Sequence, residues 1–385
     1  MKERKILMKK IGIVTLYHKN YNYGGQLQAY AMQKIFTTEN TDAELITFEN
    51  DSKKYLIKRL KDLGFKKSFR SFKNKIQFKK LLRNAEFKQE HEKKIARFDK
   101  FIDDIPHTKL YNSATIAECN EIFDSYVCGS DQIWNPGWWN DILVLGFANK
   151  PRFSYAASIA RTKLTEEEVK YLKDNTDAYE AISVRESQAQ EMLKECLNRD
   201  IDFVLDPTLL VDAEHWASIA NNPSTDEEYA FIYMVGNSKG LKEHIYEECH
   251  KKGLKVISIG YSKNTYFASE EKYSDMVIKD AGPNEWLGWI RNAKYVFTDS
   301  FHGSVFSILF QRQFWCFERD NPKDKQNENS RLYSFLSITG LEKRLLAHDT
   351  SIFENEENTV IDYEKVKNAL KPYRERSFEF INKYI

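Results

Sequence analysis

Three hundred and eighty-five residues, 42% hydrophobic and 30% charged, suit two or three domains of ordinary soluble composition and exclude a disordered, collagenous or disulfide-stapled chain. The 58 basic and 57 acidic side chains give a formal net charge of +1, yet residues 51–100 hold 18 Lys/Arg against 6 Asp/Glu, leaving the other 335 residues with a net charge of −11. Five cysteines (Cys119, Cys128, Cys196, Cys249, Cys316) without CxxC spacing argue against a disulfide set or zinc knuckle, and no apolar run reaches the roughly 18 residues of a membrane helix.

The start, MKERKILMKK, has a basic character, but the apolar stretch after it ends at His18 and Lys19, so it reads as a buried first strand. A polar turn with Asn20, Asn22, Gly24 and Gly25 leads into QLQAYAMQKIF, whose apolar positions recur at helical spacing. In NYGGQ the glycines either simply make the turn or let the helix N-terminus receive an anionic or polar group, with Asn22 and Gln26 as further polar handles. AELITF is a second strand. The basic segment then interleaves Leu56, Leu60, Leu63, Phe65, Phe69, Phe72, Ile76, Phe78 and Leu82 with lysines, as a basic amphipathic helix on an anionic membrane surface does. Nucleic acid fits less well, because the rest of the chain is acidic and carries no recognition motif. A solvated helical insertion with no partner is the plain alternative.

DSYVCGS, FSYAASI, AISVRE and DFVLDPTLL are short apolar runs, several separated by polar helical stretches, which predicts a parallel, helix-covered sheet. Residues 128–139, CGSDQIWNPGWW, place Ser130, Asp131 and Gln132 at a strand end before Trp134, Trp138 and Trp139. They offer a sugar platform and an acid/base carboxylate, or else a helix cap and buried tryptophans. Arg185 follows another strand, where its fork suits a carboxylate or phosphate, or a surface salt bridge.

After Asp206-Pro207 a linker-like Asn-Asn-Pro-Ser-Thr cluster precedes a second series: YAFIYMVG, KVISIGY, DMVIKDAGP, YVFTDSFHG and RQFWCFE. The expected organisation is a Rossmann-like domain over 1–206 with a basic insert at about 51–100, a second over 207–345, and a helical tail over 346–385 that packs back. Two doubly wound α/β domains of this kind face each other across a cleft and place ligands at strand carboxyl ends. YVFTDSFHGSVFSILF sets Ser300, His302 and Gly303 in such a strand-to-helix turn, with His302 as proton donor, anion ligand or satisfied buried histidine.

Together NYGGQLQAYA, CGSDQIWN, SYAAS, SVRES, DPTLL and TDSFHG, in this order and spacing, resemble the polysaccharide pyruvyl transferase family over nearly the whole chain. The resemblance implies a GT-B-like fold and transfer of the pyruvyl group of phosphoenolpyruvate to two sugar hydroxyls, forming a cyclic ketal and releasing phosphate. It implies that Arg185 and His302 bind phosphoenolpyruvate, with Ser300 and Gly303 beside them. Lys323, Lys325 and Arg331 are expected to complete the anion clamp, and Asp131 to act as base. Asn22, Gly24, Gly25, Gln26, Ser130, Gln132 and Trp134 are expected to face the sugar. No cofactor or metal is expected. The implied acceptor is a galactose- or mannose-type residue on a polyprenyl diphosphate, in bacterial capsule or exopolysaccharide synthesis. The expected location is cytoplasmic, peripheral on the inner face of the membrane. A nucleotide-sugar glycosyltransferase of the same fold and a non-catalytic glycan-binding protein are the rival readings.

Overall fold

The computed structural model describes residues 8–49, 76–137, 139–236, 239–262, 265–266, 271–319, 329–347, 352–353 and 360–385. Lys323, Lys325, Trp138 and the basic stretch through residue 75 lie outside the described residues. The first half runs β1 (Lys9–Val14), α1 (Tyr23–Phe36), β2 (Thr41–Leu45), α2 (Ala85–Asp103), β3 (Ser125–Gly129), β4 (Arg152–Ala157), α3 (Glu166–Thr176), β5 (Ala181–Val184), α4 (Ser187–Leu197) and β6 (Asp202–Phe203). The second runs α5 (Ala213–Ile219), β7 (Tyr229–Tyr233), α6 (Lys239–Lys251), β8 (Lys255–Ile259), a small hairpin of β9 (Tyr261–Ser262) and β10 (Thr265–Tyr266), β11 (Met276–Ile278) and α7 (Pro283–Asn292). It ends with β12 (Tyr295–Thr298), α8 (Phe301–Leu309), β13 (Gln313–Phe317), α9 (Ser330–Thr339), β14 (Leu345–Leu346) and α10 (Tyr363–Tyr384).

Among the described residues the larger strands form two six-stranded sheets, ordered β2-β1-β3-β4-β5-β6 and β11-β8-β7-β12-β13-β14. Every pairing within them is parallel. Strands such as YAFIY and YVFT are apolar on both faces because helices cover both sides, and their side chains are buried throughout. The strand order reverses between β1 and β3 in one sheet and between β7 and β12 in the other. Chain leaving neighbouring strands in opposite directions opens a crevice at each reversal. The two doubly wound domains expected from the alternation of runs are therefore present.

Among the described residues, contacts from three helices, α1, α2 and α10, help fix one half against the other. Tyr23, at the start of α1, donates its hydroxyl to the Ala281 carbonyl at 3.0 Å and stacks on Trp286 of α7 at 5.5 Å and 9°. Helix α2 turns Phe87, Lys94, Phe98 and Phe101 inward, and its Arg97 pairs with Asp280 at 3.1 Å and Glu285 at 3.6 Å. Residues 85–100, the end of the basic segment, are thus a strut between domains whose apolar face meets protein. Burial lowers the Lys94 amine to about 7. The tail helix α10 packs back across the first domain as expected. Tyr363 donates to the Arg312 carbonyl of the second half, Ser377 Oγ accepts the Leu205 N–H at 2.9 Å, and Phe380 packs on Phe153 and Tyr155. No helix among the described residues is long and apolar enough to cross a membrane.

Removing the buried Phe380 ring leaves a hole between α10 and the first sheet. Phe380→Ala should lower the unfolding free energy by about 3–5 kcal/mol in a denaturant titration, whereas Phe378→Ala, on the exposed face of the same helix, should change it by about 0.5 kcal/mol or less.

Candidate active site in the interdomain cleft

The carboxyl ends of three strands of the first sheet converge on one guanidinium. Arg185, directly after β5, is 1% exposed, and its Nη2 lies 3.0 Å from Asp131 Oδ1, two residues past β3. Its Nη1 donates to Asp206, which follows β6, and its Nε lies 3.7 Å from Glu186. Asp206 is fixed in turn, since Oδ2 accepts from Ser130 Oγ at 3.0 Å and Oδ1 accepts from the Thr208 N–H and hydroxyl at 3.0 and 2.6 Å. Burial works against the Arg185 charge, but Asp206, then Asp131 and Glu186, more than offset it and raise its pKa.

Local backbone sets this convergence. Gly129 has φ +140°, and a Cβ there would lie 1.9 Å from the Tyr155 carbonyl oxygen, so only glycine lets β3 pass β4 into the Ser130 turn. The Ser130 N–H donates to Gln28 Oε1 at 3.1 Å, and Gln28 donates to Thr15 Oγ1 at 2.9 Å, tying the turn to α1 and to the chain after β1.

The second domain closes the site from above. Ser300 caps α8, its Oγ accepting the Gly303 N–H at 3.4 Å, and Gly303 lies so close to Thr298 that a Cβ would fall 2.4 Å from Oγ1. This sets Phe301 over Arg185, ring centre to Cζ 4.7 Å, and brings His302 Nε2 to 3.8 Å from Asp206 Oδ2. A Cβ on Gly24 would lie 2.1 Å from His302 Nδ1. The glycine of the first helix turn is therefore a seat for the histidine of the other domain. Burial is the largest influence on His302 and lowers it to about 4, against the opposing pull of Asp206, so the ring is neutral at pH 7.

Of the expected site residues, Arg185, Asp131, Ser130, His302, Ser300, Gly303 and Gly24 come together here. Arg331, buried in the first turn of α9, acts electrostatically on Asp131 and His302. Asn22 caps α1 by accepting the Gly25 N–H at 2.9 Å, while Gln26 donates to the Asn20 carbonyl at 3.3 Å and Gln132 accepts from Asn135 at 3.2 Å.

Two expectations need correction. Trp134 is 0% exposed and packs against Tyr179 in the first-domain core, so neither ring face is open to stack a sugar. Burial alone would raise the Asp131 carboxyl, but Arg185, then His302 and Arg331, hold it at about 2. Such an ion-paired carboxylate is a poor proton acceptor at neutral pH, and its evident part is to orient Arg185.

Asp206, Glu186 and Phe301 were not among the expected site residues. The signal was present for Asp206, which follows a strand and precedes a proline in DPTLL, a place where a carboxylate is held rigidly. Among the described residues no group of three or more His, Cys, Asp or Glu side chains is arranged to hold a metal ion.

The fold and cleft define a two-domain α/β protein of the GT-B type, with a polar site built at strand carboxyl ends from both halves. Solved structures share this fold. A UDP-N-acetylglucosamine 2-epimerase matches with TM-score 0.54 at 9% identity, over 97% of this chain and 94% of that one. The UDP-GlcNAc 2-epimerase of Neisseria meningitidis, bound to UDP-GlcNAc, matches with TM-score 0.50 at 8% identity, over 98% and 99%. A putative UDP-N-acetylglucosamine 2-epimerase of Listeria monocytogenes matches with TM-score 0.50 at 12% identity, over 98% and 91%. At these identities the likeness is one of fold alone. A comparison with curated proteins finds no match. The family profile described as polysaccharide pyruvyl transferase matches residues 22–321, and the chain belongs to that family.

Two outcomes test this geometry. Asp206→Ala leaves the buried Arg185 charge without its main partner and should destabilise the fold by about 3–5 kcal/mol in denaturant unfolding. His302 is depressed below its unfolded value near 6.5, so the unfolded chain binds more protons between pH 6.5 and 4, and stability should fall as pH falls through that window. His302→Gln should flatten this slope when unfolding is followed from pH 7 to 4.

Proposed function

We propose that the protein transfers the pyruvyl group of phosphoenolpyruvate to two hydroxyls of one sugar residue, forming a cyclic ketal and releasing phosphate. The observation that carries this reading is the meeting of Arg185 and His302, from opposite domains, over Gly24 and Asp206 in a member of this family. Phosphoenolpyruvate is nearly a trianion, and its C2 becomes electrophilic only as C3 is protonated. A guanidinium already clamped by Asp131 and Asp206 offers its charge without reorganising, which is how preorganised sites stabilise a reacting anion.

Neutral His302 gains a proton when the anionic donor arrives beside it, because a nearby negative charge favours the imidazolium. It gives that proton to C3 while the first sugar hydroxyl bonds to C2, and the neutral ring then accepts the proton which that hydroxyl loses. The second hydroxyl displaces phosphate from C2, and its proton leaves with the phosphate. Atoms and protons balance with no further reactant. In this reading Arg331, with Lys323 and Lys325, supports the departing phosphate, and the half-buried Asn22 and Gln132 face the acceptor, whereas Gly25 and Gln26 are buried in the first turn of α1.

The acceptor in this reading is a galactose- or mannose-type residue of a polyprenyl-diphosphate-linked glycan in capsule or exopolysaccharide synthesis. The basic residues before α2 hold the enzyme on the anionic membrane surface where that acceptor lies.

With phosphoenolpyruvate and a galactose- or mannose-terminated acceptor, phosphate release should equal ketal formed, as followed by phosphate assay and mass spectrometry. Arg185→Ala and His302→Ala should each lower the rate at least a hundredfold. Consumption of a nucleotide sugar instead, or phosphate release without ketal, would contradict the reading. Replacing Lys53, Lys54, Lys58, Lys66 and Lys67 with Gln should reduce sedimentation with anionic liposomes and spare turnover of a soluble acceptor. Unchanged sedimentation would remove the membrane from the account.

A further inference from the structure

Glu186, next to Arg185 in sequence, is a buried carboxylate that the reaction above leaves unused. It is 2% exposed and stands at the N-cap of α4, yet its side chain makes no capping bond, and the Ser187 N–H goes to Ser334 Oγ at 3.3 Å instead. Neither Glu186 oxygen makes a hydrogen bond of ordinary length, and Arg185 Nε, 3.7 Å away, makes none either. The groups that face it are Arg185 after β5, the Ser158 hydroxyl and Ile159 N–H after β4, and Arg331 in the first turn of α9. Burial, the largest influence, raises its pKa against the pull of all four.

The other two carboxylates on Arg185 are held differently. Burial works against the Asp131 charge, but Arg185, at 3.0 Å, holds its carboxyl at about 2. Asp206 accepts from Ser130, from the Thr208 N–H and hydroxyl, and from Arg185. Both stay charged at neutral pH. With His302 neutral, Arg185 and Arg331 bring two positive charges to this cluster, and Asp131, Asp206 and Glu186 bring three negative ones. The described part of the site is therefore net negative before any ligand arrives, although the donor proposed for it is an anion. A proton on His302 brings the cluster only to neutrality, and like charges at low dielectric repel strongly. The carboxylate with the fewest hydrogen bonds gives up its charge at least cost.

We propose that Glu186 balances the charge of the donor: when the anionic donor binds at Arg185, a proton from solvent goes onto Glu186, and Arg185 exchanges one of its three carboxylate neighbours for the donor. This rests on the phosphoenolpyruvate reading and adds to it a regulation of the same site by pH. Glu186 touches no donor atom in this scheme. It is a positioning residue that acts through Arg185. Because the bound state holds more protons than the free one, donor affinity falls as pH rises.

Calorimetry of phosphoenolpyruvate binding in buffers of different ionisation enthalpy counts the protons taken up, a readout that a purely structural role would not move. Glu186→Gln has the shape of the protonated acid without its charge. It should take up about one proton fewer than the wild type and bind the donor about threefold or more tightly at about pH 8, with a flatter dependence of affinity on pH. Glu186→Asp, which keeps the carboxyl, should keep the uptake. Uptake unchanged in Glu186→Gln, with phosphoenolpyruvate still bound, overturns this role and leaves the donor reading standing, as does weaker binding with an unchanged pH slope. Where Glu186→Gln fails to fold, an infrared difference spectrum of the wild type with and without phosphoenolpyruvate decides. A protonated-carboxyl band that appears on binding supports the role, and its absence overturns it. A wild-type protein that binds no phosphoenolpyruvate removes the donor reading and this role together.

Discussion

A buried guanidinium is the constraint on which the site depends. An unpaired charge at the position of Arg185 would cost several kcal/mol, so the fold must deliver carboxylates to it with good geometry. It does so with the ends of three strands, β3, β5 and β6, through Asp131, Arg185 itself and Asp206. The supporting layer follows from the same need. Ser130 and Thr208 hydroxyls hold Asp206, Gln28 holds the Ser130 backbone, and Gly129 lets the chain reach that turn. These bonds keep the three strand ends in register at a point where the polar groups are shut away from water.

The second domain completes this arrangement. His302 stands over Asp206 only because Gly24 has no side chain and because the halves are fixed by Tyr23 on Trp286, Arg97 on Asp280 and Glu285, and α10 across both. The same closure that seats His302 also dehydrates it. In the proposed reaction this neutral, buried imidazole beside a fixed cation gains its proton only with the charge of the donor, which would couple proton transfer to binding. Opening the cleft would hydrate both groups and dissolve that coupling.

The fold was legible because its signals are local. Apolar runs on strands, glycine turns after β1, and helical periods in QLQAYAMQKIF each depend on neighbours in sequence, and the parallel sheets follow from their alternation. That Arg185 and His302 stand at strand ends was legible from the runs before them, whereas a shared role for the two came from the family resemblance. Trp134 was misread because exposure is a tertiary property, and an aromatic beside a Pro-Gly turn looks the same whether it faces solvent or Tyr179. Asp131 was misjudged for a related reason, since its basicity is set by Arg185, 54 residues away. The end of the basic segment shows the same limit, because nothing local says that the buried face of α2 would meet another domain at Asp280 and Glu285.

The central claim is that Arg185 and His302, though carried by different domains, bind one donor together. Calorimetric titration of phosphoenolpyruvate into wild type, Arg185→Ala, His302→Ala and the double variant tests it most directly. The account predicts tight binding by the wild type, loss in both single variants, and a double variant little worse than either, as expected for residues that act on the same ligand. Wild-type affinity retained in either single variant would contradict it.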